Sequence, residues 1–140
     1  MMRYKIIAQY ISNLNFNIPN PKTFFLLSKD ISKYKVNIDI KSNQVKEKVI
    51  EVQTTLNLAP AKEGFEKIDT SIVYSTIIEL ADNINNKKEI EKIILIHVPS
   101  TIYPELRKIF IFVFENSGFK NIKIGEKVDF QKLYDLRKLQ

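Results

Sequence analysis

Strict alternation of apolar and polar residues dominates the first half of the chain, in three segments: 34–41, 50–58 and 68–80. Because successive side chains of a β-strand point to opposite faces of a sheet, this period of two predicts three half-buried strands. A weaker pattern over residues 4–12 predicts a fourth strand. Polar turn residues at 42–44 and 60–64 separate neighbouring strands, so we expect an antiparallel sheet with one packed and one wet face.

The connection between the first two strands, residues 13–33, has a different character. It contains Phe16, Phe24 and Phe25 among prolines, and it is too irregular for a clean element and too apolar for a solvated loop. A connection of about 20 residues is long for a compact domain and is usually functional or disordered. Its apolar content argues against disorder, so we predict a functional segment.

The second half of the chain changes to helical spacing. Apolar positions at 90, 93, 94 and 97 predict a helix that ends at Pro99. A longer helix is predicted from residue 100 or 101, with Pro104 in its first turn and Gly118 as its left-handed cap. Asp129 is expected to cap a last helix. Four antiparallel strands followed by helices packed on one face predict an α+β fold, in a single domain of residues 1–140.

The segment 109–114 inside the longer helix is apolar at every position. A helix that is apolar all round must be covered all round, and one small sheet covers only one of its faces. We therefore predict an oligomer interface formed by the side chains of this segment, namely Ile109, Phe110, Phe112, Val113 and Phe114.

The chain is basic, with a formal net charge of +6 and a pI near 9.4. Such a charge is compatible with a nucleic-acid-binding module, for which steeply salt-dependent binding would be the test. The charge is nearly all lysine and is scattered, whereas arginine, the usual group for bidentate phosphate contacts, is scarce. Abundant lysine, isoleucine and asparagine are all read by A/T-rich codons, which explains the lysines as well as function does. We therefore predict no nucleic-acid partner, and a basic nucleic-acid-binding module stays open as an alternative.

Residues that carry most enzyme chemistry are scarce. The chain has no cysteine and one histidine, His97, which lies among apolar residues and is expected to be structural. A zinc site would depend almost entirely on carboxylates, and three separate glycines cannot form a phosphate-binding loop. We predict no enzyme, no metal and no cofactor, although chemistry by carboxylates alone stays open.

Neither a membrane span nor a signal peptide is predicted. The longest unbroken apolar segment, 109–114, is far shorter than the ~20 residues that a span needs. Near the amino end, Gln9, Ser12 and Asn13 interrupt the apolar pattern too early for a signal peptide. We therefore expect a cytoplasmic protein without membrane insertion.

Two motifs at opposite ends of the chain resemble one known family. Residues 98–107 read VPSTIYPELR, and Gly118-Phe119 and Val128-Asp129-Phe130 follow. This pattern resembles the Cys-Pro-x-x-Leu-Phe-Pro-Tyr-x-Arg … Gly-Phe … Val-Asn/Asp-Phe signature of SecB protein-export chaperones. Residues 10–20, YISNLNFNIPN, resemble the family's Tyr-x-x-Asp-Ile/Leu-Ser-Phe-Glu-x-Pro-Asn. The resemblance extends over nearly the whole chain.

The resemblance implies a holdase that works without nucleotide. It would bind unfolded secretory preproteins, keep them translocation-competent and deliver them to the SecA motor, as a homotetramer built as a dimer of dimers. In the family, a groove between the long first connection and the last helix binds the client chain. Carried over by position, the groove residues are Phe16, Pro19, Phe24, Phe25, Phe130, Leu133 and Tyr134.

The same resemblance predicts weak binding to SecA. Typical family members are acidic and hold the basic tail of SecA with exposed carboxylates of the sheet. Two of those positions fall on the uncharged Asn13 and Asn17, and the third falls on Ser71 or, after a small shift, on Asp69. A SecB-like chaperone dedicated to one partner, such as an antitoxin, stays open as an alternative.

Overall fold

A computed structural model describes residues 3–60, 68–120 and 122–138 of the chain. Its strands are β1 (Tyr4–Asn17), β2 (Tyr34–Lys46), β3 (Val49–Pro60) and β4 (Asp69–Leu80). Its helices are α1 (Pro21–Asp30), α2 (Lys87–Lys92), α3 (Val98–Asn116) and α4 (Phe130–Lys138). The strands form one antiparallel sheet in the order β1-β4-β3-β2, which confirms the predicted strands.

The central strands β3 and β4 bury the face that the alternation predicted. Val52, Leu56, Ile72 and Ile78 are almost completely buried, while their neighbours in sequence lie on the opposite face of the sheet and are only half-buried. Helices pack on the buried face alone, so the predicted α+β arrangement is confirmed.

One predicted turn is wrong and another lies outside the described residues. Instead of turning at 42–44, β2 continues to pair with β3 as far as Lys46 opposite Val49. The chain reverses at 47–48, where Lys48 has a positive φ of 65° and its ammonium group donates to the Ile84 carbonyl at 2.8 Å. The turn predicted at 60–64 falls almost entirely in 61–67, outside the described residues.

The first connection is more regular than its sequence suggested. It folds into α1 followed by a 3-10 turn over Ile31–Lys33. The side chain of Asn20 caps α1 by accepting from the Thr23 amide at 2.8 Å, and Pro21 occupies the first helical turn, where no amide donor is needed. An amide cap and a proline thus start a helix that the apolar pattern did not reveal.

The helix predicted to end at Pro99 does not end there. A π-helical turn over Ile93–His97 joins α2 directly to α3, so the chain stays helical from Lys87 to Asn116. The wider hydrogen-bonding pattern of a π turn accommodates a proline whose missing N–H would interrupt a regular α-helix. Pro104 consequently lies inside α3 rather than in its first turn. Among the helices that the structure describes, none is long and apolar enough to cross a membrane.

The apolar segment of α3 is covered on one side by the chain's own sheet. Phe110 and Phe114 are 0% exposed, and their rings pack 4.8 Å apart in the main core. Phe16 meets Phe114 edge-on at 5.0 Å. A side chain without exposed surface in a single chain has none to offer to a partner, so the interface prediction is corrected for Phe110 and Phe114. Ile109 and Val113 are half-buried, and Phe112 is 65% exposed.

The only histidine has the structural role that its neighbours in sequence predicted. The Nη2 atom of Arg3, the residue just before β1, donates a hydrogen bond to Nε2 of His97 at 2.9 Å. Burial lowers the pKa of His97, and the charges of Arg3 and Lys92 lower it further, so the neutral ring is favoured as acceptor. The contact ties the end of β1 to the π turn.

Gly118 ends α3 in the left-handed conformation that was predicted. Its φ is +97°, and the Phe119 and Gly118 amides donate to the Phe114 and Glu115 carbonyls at 2.9 and 3.4 Å. This paired pattern is a Schellman motif. A Cβ at Gly118 would meet the ring of Phe24 at 2.9 Å, so the cap also fixes where α1 packs.

Gly118→Ala is therefore expected to lower the free energy of unfolding by about 1–3 kcal/mol, through backbone strain and displacement of the Phe24 ring. Chemical denaturation followed by circular dichroism measures the change. Gly125→Ala is the matched control, because its Cβ would find ordinary space, with the Lys127 carbonyl nearest at 3.4 Å. Equal losses in the two variants would contradict the assigned role of Gly118.

Candidate functional site

An apolar groove runs along β2, which pairs only with β3 in the described sheet and is therefore an edge strand. Its helix-side residues Tyr34, Val36, Ile38 and Ile40 are only half-buried, unlike their counterparts on β3 and β4. Three adjoining cavities lie beside them and share lining residues of β2. We call this surface the β2 groove.

The first part of the β2 groove is a cavity of about 580 Å³ between the start of β2 and the segment 122–128. The end of the first connection contributes Ile31 to its lining. The lining is mostly apolar and includes Ile31, Tyr34, Val36, Ile38, Leu58, Tyr103, Ile122, Ile124 and Val128.

Residues of the SecB-like motif hold the segment 122–128 in place. The hydroxyl of Tyr103 donates to the Gly125 carbonyl at 2.8 Å. The Nε and one Nη of Arg107 donate to the Ile124 carbonyl at 3.3 and 3.2 Å. Two side chains of α3 thus position one wall of the groove. This structural role accounts for the positions of Tyr103 and Arg107 in the motif.

The next motif residues anchor α4, the helix after this wall. The Asp129 carboxylate accepts from the Lys132 amide at 3.0 Å, which is the cap that the sequence predicted. The ring of Phe130 packs against that of Tyr103 at 6.1 Å in an edge-to-face arrangement. The position of α4 over β2 follows from these contacts.

The second part of the β2 groove lies between β2, α2 and the π turn. A cavity of about 740 Å³ is lined by Ile40, Lys41, Ser42, Lys87, Ile90, Glu91, Ile94, Leu95 and Arg137. A smaller cavity of about 180 Å³ joins it to the first part and adds Leu133 and Tyr134 of α4. The apolar lining of this part is aliphatic except for Tyr134, and the charged side chains that line it are Asp39, Lys41, Lys87, Glu91 and Arg137.

Two tyrosines of the groove, Tyr103 and Tyr134, remain neutral phenols. Burial raises the pKa of Tyr134, and a hydrogen bond to Glu91 and the charge of Glu91 raise it further. Burial also raises the pKa of Tyr103, against the opposing effect of Arg107. Neither hydroxyl is set up as a base or nucleophile, and the site offers apolar surface and hydrogen bonds.

Two of the seven predicted groove residues line the β2 groove: Leu133 and Tyr134. Leu133 is 45% exposed, whereas Tyr134 and Phe130 are buried in the main core. For Phe130, the prediction is corrected to a core role, because its ring is enclosed beside Tyr103. Tyr134 also lines the groove but is only 3% exposed.

The other four predicted groove residues lie at the end of β1 and on α1. Phe16 and Phe24 are half-buried, and both pack against Phe119, at 6.5 and 5.1 Å between ring centres. Phe25 is 69% exposed, and Pro19 is exposed as well. None of the four lines the cavities along β2.

The four positions predicted to meet SecA come together on the outer face of the sheet. Asn17 lies opposite Asp69, Asn15 opposite Ser71, and Asn13 opposite Val73 in the β1–β4 ladder. Their side chains face away from the helices, because Thr70 is buried on the other face. The Asp69 carboxylate already accepts from Nδ2 of Asn15 at 2.6 Å.

Comparison with known proteins decides the family. The family described as preprotein translocase subunit SecB matches residues 1–140 of this chain. The chain belongs to the SecB family. A SecB-named protein of Pelagibacter ubique is 41% identical over 134 residues, which cover 96% of each chain. Protein-export protein SecB 1 of Gluconobacter oxydans is 28% identical over 147 residues, covering 99% of this chain and 84% of the relative.

A solved structure agrees with the SecB fold. A SecB-like chaperone of Mycobacterium tuberculosis, in complex with an antitoxin peptide, superposes with a TM-score of 0.63 at 9% identity. The superposition covers 88% of this chain and 90% of that one. Both the family that the motifs predicted and the α+β fold are thereby confirmed.

In this SecB-family chain, sequence reasoning missed most of the β2 groove. The alternation in 34–41 marked Val36, Ile38 and Ile40 as a packed face, and the helical spacing marked Ile90 and Ile94. Nothing in either pattern says that β2 lies at the edge of the sheet. The only signal was the long first connection, which delivers the chain to that edge.

Proposed function

We propose that this SecB-family chain is a holdase that binds unfolded preproteins in the β2 groove and keeps them competent for translocation. The observation that carries the proposal is an open apolar groove running along an edge strand. Exposed, contiguous apolar surface on a protein marks a binding site for another apolar group. The groove is long and open, as an extended chain requires, rather than closed around a small molecule.

The edge of β2 provides backbone groups as well as apolar surface. An extended client segment can add to an edge strand through main-chain hydrogen bonds, while alternate side chains enter pockets. The part of β2 beside the cavities, 34–42, spans roughly 25 Å at about 3.3 Å per residue, which matches a client segment of about eight residues. A folded protein presents no such segment, so binding would select non-native chains.

The named relatives favour export over a dedicated antitoxin chaperone. Relatives that match nearly all of this chain carry protein-export names. The likeness to the chaperone bound to an antitoxin peptide, at 9% identity, supports the fold but not a shared client. We therefore propose secretory preproteins as clients, encountered in the cytoplasm before translocation, and SecA as the acceptor.

We propose a homotetramer, a dimer of dimers, as the assembly. The edge strand β1 is 14 residues long and pairs only with β4 in the described sheet. It exposes Ile7, Tyr10, Ile11 and Leu14, and α3 exposes Phe112. A long apolar edge strand is prone to pair with another chain. A second copy pairing along β1 and a further contact over α3 would cover both surfaces.

Leu133→Asn is expected to weaken client binding about tenfold, because it removes apolar contact from the groove. A tenfold change in affinity corresponds to a binding free energy of ~1.4 kcal/mol. Fluorescence anisotropy with a labelled, unfolded secretory precursor measures the affinity. A refolding-arrest assay with the same precursor tests the holdase activity itself. Leu136→Asn is the matched control, because Leu136 lies on the same helix and is 50% exposed, against 45% for Leu133, but does not line the groove.

The wild-type protein is expected to arrest refolding of the precursor. If it does not, the proposed function is wrong. If Leu136→Asn weakens binding as much as Leu133→Asn does, clients bind elsewhere and the β2 groove is not the site.

A further inference from the structure

Five cationic side chains surround the β2 groove, all of them exposed. Lys35 and Lys123 lie beside its first part, and Lys41, Lys87 and Arg137 beside its second part. Among the described residues, none of the five forms an ion pair with a carboxylate. Their charges are therefore available to a bound chain.

Few carboxylates oppose these cations. Asp39 and Glu91 are the acidic residues among those that line the described cavities along β2. Glu91 is half-buried, and its charge raises the pKa of the nearby Tyr134 hydroxyl. Asp39 lies on β2 between Lys35 and Lys41. The rim is thus positive at both ends of the groove, whereas its floor is apolar.

The cations are placed on both sides of a strand that would add to β2. In such a strand, alternate side chains point to opposite faces of the sheet. Those on the helix side would enter the apolar cavities. Those on the outer side would lie across from the outer face of β2, where Lys35 and Lys41 flank Asn37 and the single carboxylate of Asp39, because Val36, Ile38 and Ile40 face the helices. Opposite charges across neighbouring strands attract.

We propose that the β2 groove selects client segments in which apolar or aromatic residues alternate with Asp or Glu. The inference rests on the proposed holdase function and names the client class of that same site. Apolar side chains fill the cavities, and the carboxylates between them meet the cations of the rim. Basic segments of the same apolar content bind more weakly because they meet like charges.

Three nine-residue fluorescein-labelled peptides test the proposal. They share Phe, Leu and Val at every second position and carry Glu, Gln or Lys between them. Anisotropy at nanomolar peptide and 50 mM salt is expected to show the Glu peptide binding at least tenfold tighter than the Lys peptide, with the Gln peptide between. At 0.5 M salt the difference is expected to shrink severalfold, because exposed charges are screened.

Two charge-matched variants show whether the groove causes the preference. The first variant combines Lys35→Gln, Lys41→Gln and Arg137→Gln. It is expected to reduce the ratio of Glu-peptide to Lys-peptide affinity at least threefold. The control variant replaces three exposed lysines that line no cavity of the β2 groove, Lys22, Lys29 and Lys108, by Gln. It removes the same charge and is expected to leave the ratio nearly unchanged.

The outcomes separate this inference from the proposed function. Equal affinity for the three peptides would overturn the acidic preference and leave the holdase function intact. An equal fall of the ratio in both variants would assign the preference to net charge rather than to the groove, and would overturn the inference as well. Failure of the wild-type protein to bind any of the peptides or the unfolded precursor would contradict the proposed function itself.

Discussion

Phe114→Glu is expected to abolish folding of the chain, whereas Phe112→Glu, two residues earlier, is expected to leave the protomer folded and to reduce its assembly. Phe114 is 0% exposed and touches Phe16, Phe110 and Phe119 in the aromatic part of the core. A carboxylate there would be buried without a partner, at a cost of about 4 kcal/mol or more. That is a large part of the stability of a typical domain, which is about 5–15 kcal/mol.

Phe112 lies on the opposite side of the same helix and is 65% exposed. A charge at this position remains solvated in the single chain, so it affects only a surface that another copy covers. Circular dichroism reports folding, and light scattering coupled to size exclusion reports the mass. A wild-type protein that is a stable monomer at micromolar concentration would contradict the proposed tetramer. A Phe114→Glu variant that melts like the wild type would contradict the assigned core.

Asn13→Asp combined with Asn17→Glu is expected to strengthen binding of a conventional basic SecA tail peptide at least tenfold. Both residues are exposed on the outer face of β1, near Asp69 and Ser71 of β4. Each charge-assisted hydrogen bond that forms contributes about 1.5–3 kcal/mol, and ~1.4 kcal/mol corresponds to tenfold. In the wild-type protein, the Asp69 carboxylate already accepts a hydrogen bond from the Asn15 side chain. The net charge of +6 also repels a basic peptide. Wild-type binding is therefore expected to be weak.

Isothermal calorimetry measures this change, with both the cognate and a conventional tail peptide. Asn43→Asp with Gln44→Glu adds the same two charges to exposed positions on β2, at the opposite edge of the sheet. A gain in this control equal to that of the first variant would show a general charge effect. Submicromolar binding by the wild-type protein would show that handover to SecA uses other residues.

Local patterns predicted the strands well and the helices in part. The alternation of Val52, Leu56 and Ile72 identified the packed face, because one face of an antiparallel sheet must be apolar if helices cover it. Gly118 and Asp129 marked helix ends through local backbone chemistry. Pro99 misled the prediction, because a π turn carries the helix past it, and that turn depends on packing along the whole segment.

The predicted groove residues also divide into those that the sequence placed beside the groove and those that the structure places elsewhere. The motif identified the family, yet several residues carried over by position, among them Phe130 and Phe24, are packing residues. Leu133 belongs to an amphipathic stripe and lines a cavity beside β2, and its contact with a client chain stays a prediction. Phe110 and Phe114 were misassigned to an interface, because an all-apolar helix looks the same in sequence whichever side the sheet covers.

By itself, the sequence determined the number and faces of the strands, the caps at Gly118 and Asp129 and the family, because each depends on the identity and spacing of residues close together along the chain. The tertiary structure alone decided that β2 and β1 are the edge strands and that Arg107 reaches the Ile124 carbonyl. It also decided which side of α3 is buried, and it brought Lys35, Lys87 and Arg137 around one groove. Strand order and helix orientation follow from the burial of apolar surface summed over distant segments, which no local pattern encodes.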